Sequence, residues 1–321
     1  MTVNGSDFLD KKSSMNTKNN TEDLEQEIAD LESRLHNAKV QLASSPRSAK
    51  ASSLSREPNG IPRSIPMHAL LLLSDSALPL GSFAYSSGLE SYLAHNKPLP
   101  RSVTSIASFR RFLKLSIASL ASTSLPYVLN AYRYPETLET LDNDLDASTP
   151  CVVAQRASLA QGRALLGVWE RAFRGTYGLY ASSGSSMANG AGTAAKAVKA
   201  LEDFLDALKS CFDHVDELGP KGHFPPLWGV VCSIMGMDLH QTAYVFMLNH
   251  AKAVLSAAVR ASVMGPYQAQ AILASKGIQD MILQRIEREW DTNVEDAGQV
   301  VPPLDLWVGR HELLYSRIFN S

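Results

Sequence analysis

Cysteine is scarce in this 321-residue sequence, and the cysteines that occur form no recognisable pattern. Cys151, Cys211 and Cys232 are odd in number and widely spaced, which excludes a disulfide framework and a CxxC metal knuckle. The first twenty residues are polar and lack the apolar core of a secretory signal. These absences predict a cytoplasmic protein with reduced thiols.

Long apolar runs and excess charge are missing as well. No run approaches the roughly 18–20 apolar residues that a membrane span requires. The formal net charge is only −2, which gives no bulk attraction to nucleic acid or to an anionic membrane. We therefore expect neither nucleic acid nor a membrane as a partner. Hydrophobic residues make up 45% of the chain, which is sufficient for a buried core.

The chain also lacks the motifs of nucleotide, metal and nucleophilic chemistry. It contains no GxxxxGK[ST] phosphate-binding loop, no HExxH or Glu-x-x-His pair and no Gly-x-Ser-x-Gly elbow. No two of its eight histidines lie three or four residues apart, the spacings that place two ligands on one helix face. We therefore predict no catalytic residues, no tight metal site and no stably bound cofactor.

Residues 1–63 differ in composition from the rest of the chain. They are rich in Ser, Asn, Lys and Glu and poor in aromatic residues, which is typical of a disordered extension. A short apolar seam interrupts them, at Leu24, Ile28, Leu31, Leu35, Ala38 and Leu42. The seam predicts an amphipathic helix of about three heptads. It is interpreted either as a helix that docks on its own protein or as a self-association element.

Helical periodicity dominates residues 64–290 and predicts an all-α fold, a single helical bundle domain. Apolar residues recur at helical spacing within 106–120, 153–172, 198–212 and 239–263. Gly265-Pro266 should end the last of these helices and begin another that runs to about Arg288. Two stretches, the acidic 136–150 and the glycine-rich 175–193, are predicted to be mobile surface insertions. Residues 291–321 are predicted to be a polar linker and a C-terminal partner-binding tail.

A corner is predicted where the first helix of the bundle ends. Ser74-Asp75-Ser76 can break that helix, and Pro79 and Gly81 favour a tight turn. Ser82 is then expected to cap a second helix. The segment is interpreted as a structural corner, as an enzyme site with Asp75 as base, or as a partner surface on which aromatic side chains act as anchors.

Two further residues have competing interpretations. His223 precedes Pro225-Pro226, which should open a helix, so it is either a packed or capping residue or a transient nickel contact. Arg260 is either a snorkelling surface residue or the buried partner of a carboxylate.

The C-terminal tail is too apolar to remain in water without cost. Pro302-Pro303 prevent the preceding helix from continuing. We interpret residues 302–321 as a recruitment element in which Arg317 offers a planar donor fork. The alternative is that the tail folds back onto its own bundle.

These segments, in this order, resemble the UreF family of urease accessory proteins over roughly residues 64–321. The resemblance rests on Asp75-Ser76, 79–83 and 86–90 in the corner, on 161–165, on the Gly222-His223 motif with Pro225 and Gly229, on 258–260 with Gly265-Pro266, and on the ending from His311 to Ser321. The extension and the two insertions make this chain longer than compact bacterial members, as in eukaryotic ones.

The resemblance implies a non-enzymatic, all-α protein that forms a homodimer. Such a protein binds the accessory protein UreD (UreH in some systems) and recruits and regulates the GTPase UreG for nickel insertion into apo-urease, with nickel in transit through the complex. The implied partner-binding and dimerisation residues are Asp75, Ser76, Pro79, Gly81, Phe83, Tyr85, Ser86, Gly88, Leu89, Glu90, Arg260, His311, Glu312, Tyr315, Arg317, Phe319 and Ser321. The resemblance further suggests that the tail becomes ordered when UreD binds.

Two alternatives from other functional classes stay open at this point. One is a helical-bundle enzyme that uses Asp75, His223 or Arg260. The other is a structural scaffold that assembles through the N-terminal heptads.

Overall fold

The computed structural model describes residues 64–179, 191–211 and 219–320, together with Ala29, residues 32–34 and Asn37. The chain divides into two compact units, Met1–Asn59 and Gly60–Ser321. The described residues of the first unit are helical and exposed. The apolar seam predicted between Leu24 and Leu42 falls on residues outside the described ones, so its role stays a prediction.

The described part of the second unit contains helices and no β-strand, which confirms the all-α prediction. Its α-helices are α1 (Ser64–Ser74), α2 (Leu89–His95), α3 (Ser105–Thr123), α4 (Leu125–Arg133), α5 (Leu138–Ser148), α6 (Val152–Val168), α7 (Ala191–Cys211), α8 (Phe224–Ile234), α9 (Leu239–Arg260), α10 (Pro266–Leu273), α11 (Lys276–Glu289) and α12 (Pro302–Arg310). Helix α6 continues as a π-helix over Trp169–Gly178. Short 3-10 turns lie at Ser82–Ala84, Pro135–Thr137, Val294–Asp296 and His311–Leu313.

Local capping chemistry sets several helix boundaries. The Thr104 side chain accepts a hydrogen bond at the start of α3, and Asp238 forms a capping box at the start of α9. The single helix predicted from Pro266 to about Arg288 is wrong, because Ser275 divides it. The Ser275 hydroxyl oxygen accepts the Ile278 N–H at 3.4 Å, which begins α11 as a separate helix.

Helix α8 lies at the centre of the core. Every residue of α8 after Phe224 is buried, and the helix packs against α4, α6 and α7. The approach to α4 is so close that a Cβ atom built on Gly229 would lie 2.3 Å from the Val128 carbonyl oxygen. Only glycine fits at that crossing.

The prediction of a mobile insertion at 136–150 is wrong. Most of this segment is α5, in which Leu138, Leu141 and Leu145 are buried and Asp142 is completely buried. The leucines, three and four residues apart, form an apolar stripe that the acidic composition conceals.

The second predicted insertion, 175–193, is only partly described. Its first residues continue the π-helix, with Tyr177 and Gly178 buried, and its last three residues begin α7. Residues 180–190 lie outside the described part, so their predicted mobility stays a prediction.

One described stretch, Ser105–Arg133, has the length of a membrane span, and its most apolar window reaches a mean hydropathy of 1.3. This stretch comprises α3 and α4, and 72% of its most apolar window is buried inside the protein. Such burial is expected of core helices that pack against neighbouring helices.

The C-terminal segment packs on the body of its own chain. Val301, Leu304 and Phe319 are buried. The Trp307 ring of α12 meets the Tyr92 ring edge-on, with centroids 4.7 Å apart. The prediction that this tail is separate from the core is therefore wrong, and the fold-back alternative describes its position. Its role in partner binding stays a prediction.

Candidate partner-binding surface

The corner between α1 and α2 is held by local hydrogen bonds. An Asp75 carboxylate oxygen accepts the Ala77 N–H at 2.9 Å, so the side chain closes the turn that ends α1. The Ser82 hydroxyl does not cap a helix as predicted; it donates to Gln161 Oε1 at 2.9 Å. Helix α2 instead begins at Leu89, with Gly88 in the N-cap position.

Glu90, in the first turn of α2, is the residue that connects the corner to the tail. One carboxylate oxygen accepts the Ile318 N–H at 2.7 Å, and the other accepts the Phe319 N–H at 3.2 Å. His311 Nε2 lies 2.9 Å from the same carboxylate, and the His311 side chain is completely buried. An ionised carboxylate can only accept, so Nε2 donates. Three donors from two parts of the tail therefore converge on one side chain.

Arg260, at the end of α9, contacts the corner and the tail as well. Its guanidinium donates to the Phe83 carbonyl oxygen and lies over the Phe319 ring, 4.4 Å from the ring centroid. The Asn320 N–H adds a hydrogen bond of 2.8 Å to the Ala84 carbonyl oxygen. Arg260 is thus exposed, as the surface interpretation expects, but its partners are a carbonyl and an aromatic ring rather than a carboxylate.

Around these anchors, large apolar side chains remain exposed. We call this set the corner–tail surface; its members are Phe83, Leu313, Tyr315 and Ile318, which are 66%, 76%, 107% and 62% exposed. Tyr85, another corner residue that the resemblance implies in partner binding, is half-buried, and burial raises the pKa of its hydroxyl. Phe83 and Glu90 in the corner lie more than 200 positions before the tail residues in sequence, and Arg260 lies between the two segments.

The other predicted site residues lie beside or beneath this surface. Ser86 and Leu89 are completely buried, and the Ser86 hydroxyl oxygen accepts the Glu90 N–H at 3.3 Å. Asp75 and Ser76 line a cavity of about 510 Å³ whose lining also includes Phe83 and Tyr85. Ser321 lies outside the described residues.

A second predicted position, His223, sits in a buried hydrogen-bond network. Its Nδ1 lies 3.0 Å from the Ser158 hydroxyl, and its Nε2 lies 2.9 Å from an Asp146 carboxylate oxygen. The side chain is completely buried. Both ring nitrogens therefore have protein partners, and the packed interpretation describes this residue. It occupies the N-cap position of α8, but its side chain makes no capping hydrogen bond. The transient nickel contact stays a prediction.

Asp142 of α5 completes this network, although no sequence motif singles it out. Its carboxylate accepts backbone N–H groups from Lys221, Gly222 and His223 at 2.5, 3.0 and 2.6 Å. The loop lies so close to α6 that a Cβ on Gly162 would be 2.1 Å from the Gly222 carbonyl oxygen. An aspartate within an apolar helical stripe was the available signal, and the acidic composition around it concealed that signal.

The enzyme constellation of Asp75, His223 and Arg260 is not assembled. Asp75 closes a turn, His223 contacts α5 and α6, and Arg260 contacts the corner and the tail. Ser158, the partner of His223, has a structural role as well, because its hydroxyl oxygen caps α8 by accepting the Phe224 N–H at 3.2 Å. Within residues 64–179, 191–211 and 219–320, no group of three or more His, Cys, Asp or Glu side chains is arranged to hold a metal ion.

Comparison with known proteins identifies relatives along most of the chain. Residues 103–276 match the family model described as UreF. A Schizosaccharomyces pombe protein named as an uncharacterized urease accessory protein UreF-like is 36% identical over 261 residues, covering 79% of this chain and 97% of the relative. Urease accessory protein F of Oryza sativa subsp. indica is 30% identical, covering 77% of this chain and 82% of the relative. Urease accessory protein UreF of Actinobacillus pleuropneumoniae is 25% identical, covering 79% and 98%.

Proposed function

The chain belongs to the UreF family of urease accessory proteins, and from this membership we infer that it acts in urease maturation as a nickel-delivery co-chaperone. It forms a homodimer in the cytoplasm, binds UreD (UreH) and recruits the GTPase UreG, whose GTP hydrolysis it regulates. The resulting complex inserts nickel into apo-urease. Nickel is cargo of the complex, with no resident cofactor assigned to this chain.

The observation that supports this proposal is the corner–tail surface. Its four apolar side chains are more than 60% exposed, although each could contribute about 1.5–3 kcal/mol if it were buried against a partner. The tail that carries most of them is fixed in place by Glu90 and Arg260. The tail is packed on the body in the chain alone, so this surface does not depend on the ordering by UreD that the resemblance suggests. A surface that is already ordered binds without the entropic cost of ordering it.

The His223 network supports the division of labour between the proteins of the complex. Both nitrogens of the ring have protein partners, and the described residues offer no cluster of metal ligands. We therefore propose that this chain organises the assembly and holds no nickel tightly. Calorimetry of the isolated protein with nickel should show binding of about micromolar affinity or weaker.

Urease activation in cells tests the proposal. The variant Tyr315→Ala/Ile318→Ala removes two exposed side chains of the corner–tail surface and should leave the fold unchanged. We expect it to lose co-purification with UreD and UreG and to lose most nickel-dependent urease activity. Tyr267→Ala removes a 90% exposed tyrosine from α10 and serves as the matched control. Full activation by the double variant, or equal loss in the control, would contradict the assignment of this surface.

A further inference from the structure

A depression of about 660 Å³ lies between the tail and α6, beside the corner–tail surface. Val153 and Ala160 of α6 and the half-buried Tyr85 contribute its apolar lining. Arg156 and Arg317 contribute its charge. Because Ile318 and Phe319 form one wall, the depression exists only while Glu90 holds the tail.

Two guanidinium groups in this depression share one carboxylate. Arg156 forms a hydrogen-bonded ion pair with Glu312, and Arg317 Nη1 lies 3.8 Å from the other Glu312 oxygen. Within residues 64–179, 191–211 and 219–320, Glu312 is the only ion-pair partner of either guanidinium, and Arg156 also acts electrostatically on the Tyr85 hydroxyl. The depression therefore carries an excess of one positive charge and unused N–H donors.

Stability does not account for this arrangement. The Arg156, Glu312 and Arg317 side chains are 56%, 41% and 43% exposed. Exposed ion pairs of this kind contribute little to folding, since water and salt screen them. The planar donor fork of arginine is, however, well suited to binding a carboxylate through two parallel hydrogen bonds.

The environment of Glu312 shows that the depression favours an anionic carboxylate. The hydrogen bond from Arg156 holds the pKa of Glu312 below its usual range, and the charges of Arg317 and His311 act in the same direction. A carboxylate placed there from outside would experience the same two guanidinium groups. Its methylene groups would contact the apolar lining.

We propose that the Tyr85–Arg156–Arg317 depression binds an acidic side chain, Asp or Glu, of the partner segment that docks on the corner–tail surface. Glu312 occupies the two guanidinium groups in the free chain and shares or releases them when the partner carboxylate arrives. The inference rests on the proposed function, because the docking segment belongs to the accessory partner. It specifies the chemistry of the partner segment, which carries an apolar side chain and, next to it, a carboxylate.

Glu312→Gln separates this proposal from a purely structural role. If the two arginines serve only to pair with Glu312 and hold the tail, neutralising Glu312 should weaken partner binding as much as Arg156→Gln does. If they receive a partner carboxylate, neutralising Glu312 frees them and strengthens binding. The two roles predict opposite changes in the dissociation constant.

The test uses the full chain and the purified UreD-type partner from the same source as the probe, with affinity measured by calorimetry. We expect Arg156→Gln to weaken binding about tenfold and Glu312→Gln to strengthen it severalfold. Arg171→Gln, an exposed arginine on the π-helix, should leave the affinity unchanged. Wild-type affinity should also fall more steeply with salt than that of Arg156→Gln.

The outcomes separate the proposals. Suppose that the wild-type chain binds the partner. If Glu312→Gln then weakens binding as much as Arg156→Gln does, or if all affinities are equal, the acidic-side-chain site is overturned and the proposed function stands. Absence of any wild-type binding contradicts the proposed function, and the site with it.

Discussion

Replacing Glu90 with glutamine should release the C-terminal tail. The carboxylate is only 12% exposed and receives three donors: His311 Nε2, the Ile318 N–H and the Phe319 N–H. Glutamine keeps the shape but offers one acceptor oxygen, and its NH2 group faces a donor. A donor then loses its charged acceptor, and the loss is costlier for the part-buried bonds of Phe319 and His311 than for the exposed bond of Ile318.

The size of the effect follows from the number and type of bonds. A hydrogen bond to a charged group contributes about 1.5–3 kcal/mol, and bonds that share one acceptor are not additive. We expect the closed position of the tail to lose about 3 kcal/mol in total, which is about a hundredfold increase in the opening equilibrium. Most of the core of the body does not depend on Glu90, so global unfolding should change less.

Hydrogen exchange measures this opening directly. The Ile318 and Phe319 amides donate to Glu90, so they exchange only when the tail opens. Mass spectrometry of the C-terminal peptide should show about hundredfold faster exchange in Glu90→Gln. Glu287→Gln, an exposed carboxylate on α11, is the matched control and should not change it. Unchanged protection of the two amides in Glu90→Gln would refute this account of the tail.

Gly229→Ala should lower the free energy of unfolding by about 3 kcal/mol, because its Cβ would lie 2.3 Å from the Val128 carbonyl oxygen. Gly175→Ala, with open space around it, is the control; equal urea midpoints would contradict the close packing. Burial lowers the pKa of His250 from 6.5 to about 4, so about 3 kcal/mol of stability should disappear as the pH falls from about 6.5 to about 4. His250→Gln should flatten that slope, and an unchanged slope would exclude His250 as its cause. Deleting residues 1–63 should leave the folded body and urease activation intact; loss of activation by a soluble truncation would contradict this.

Much of the fold could be predicted because apolar periodicity is a local signal. The faces within 106–120 and 239–263 reappear as α3 and α9. Signals that depend on a single side chain were weaker. Ser275 divides one predicted helix into two, and the stripe of α5 was concealed by its acidic residues. The amino-acid composition of a segment averages over all its positions, whereas burial depends on which side chains face the core.

The candidate site was predictable residue by residue but not as an arrangement. Family resemblance singled out Glu90, Arg260, His311 and Phe319, and the structure brings these four together. No spacing in the sequence indicates that a carboxylate in α2 binds backbone groups more than 200 residues later. Arg156 carries no motif at all, and only the folded tail places it beside Glu312. Long-range contacts of this kind follow from packing rather than from local pattern.

The corner–tail surface is proposed to recruit the urease accessory partners. Light scattering coupled to size-exclusion chromatography, on the full chain mixed with purified UreD, tests it most directly. We predict a complex that contains both proteins, which then takes up UreG, and we predict that Tyr315→Ala/Ile318→Ala elutes separately from UreD although it is folded. A complex of unchanged mass and affinity with the double variant would contradict the claim.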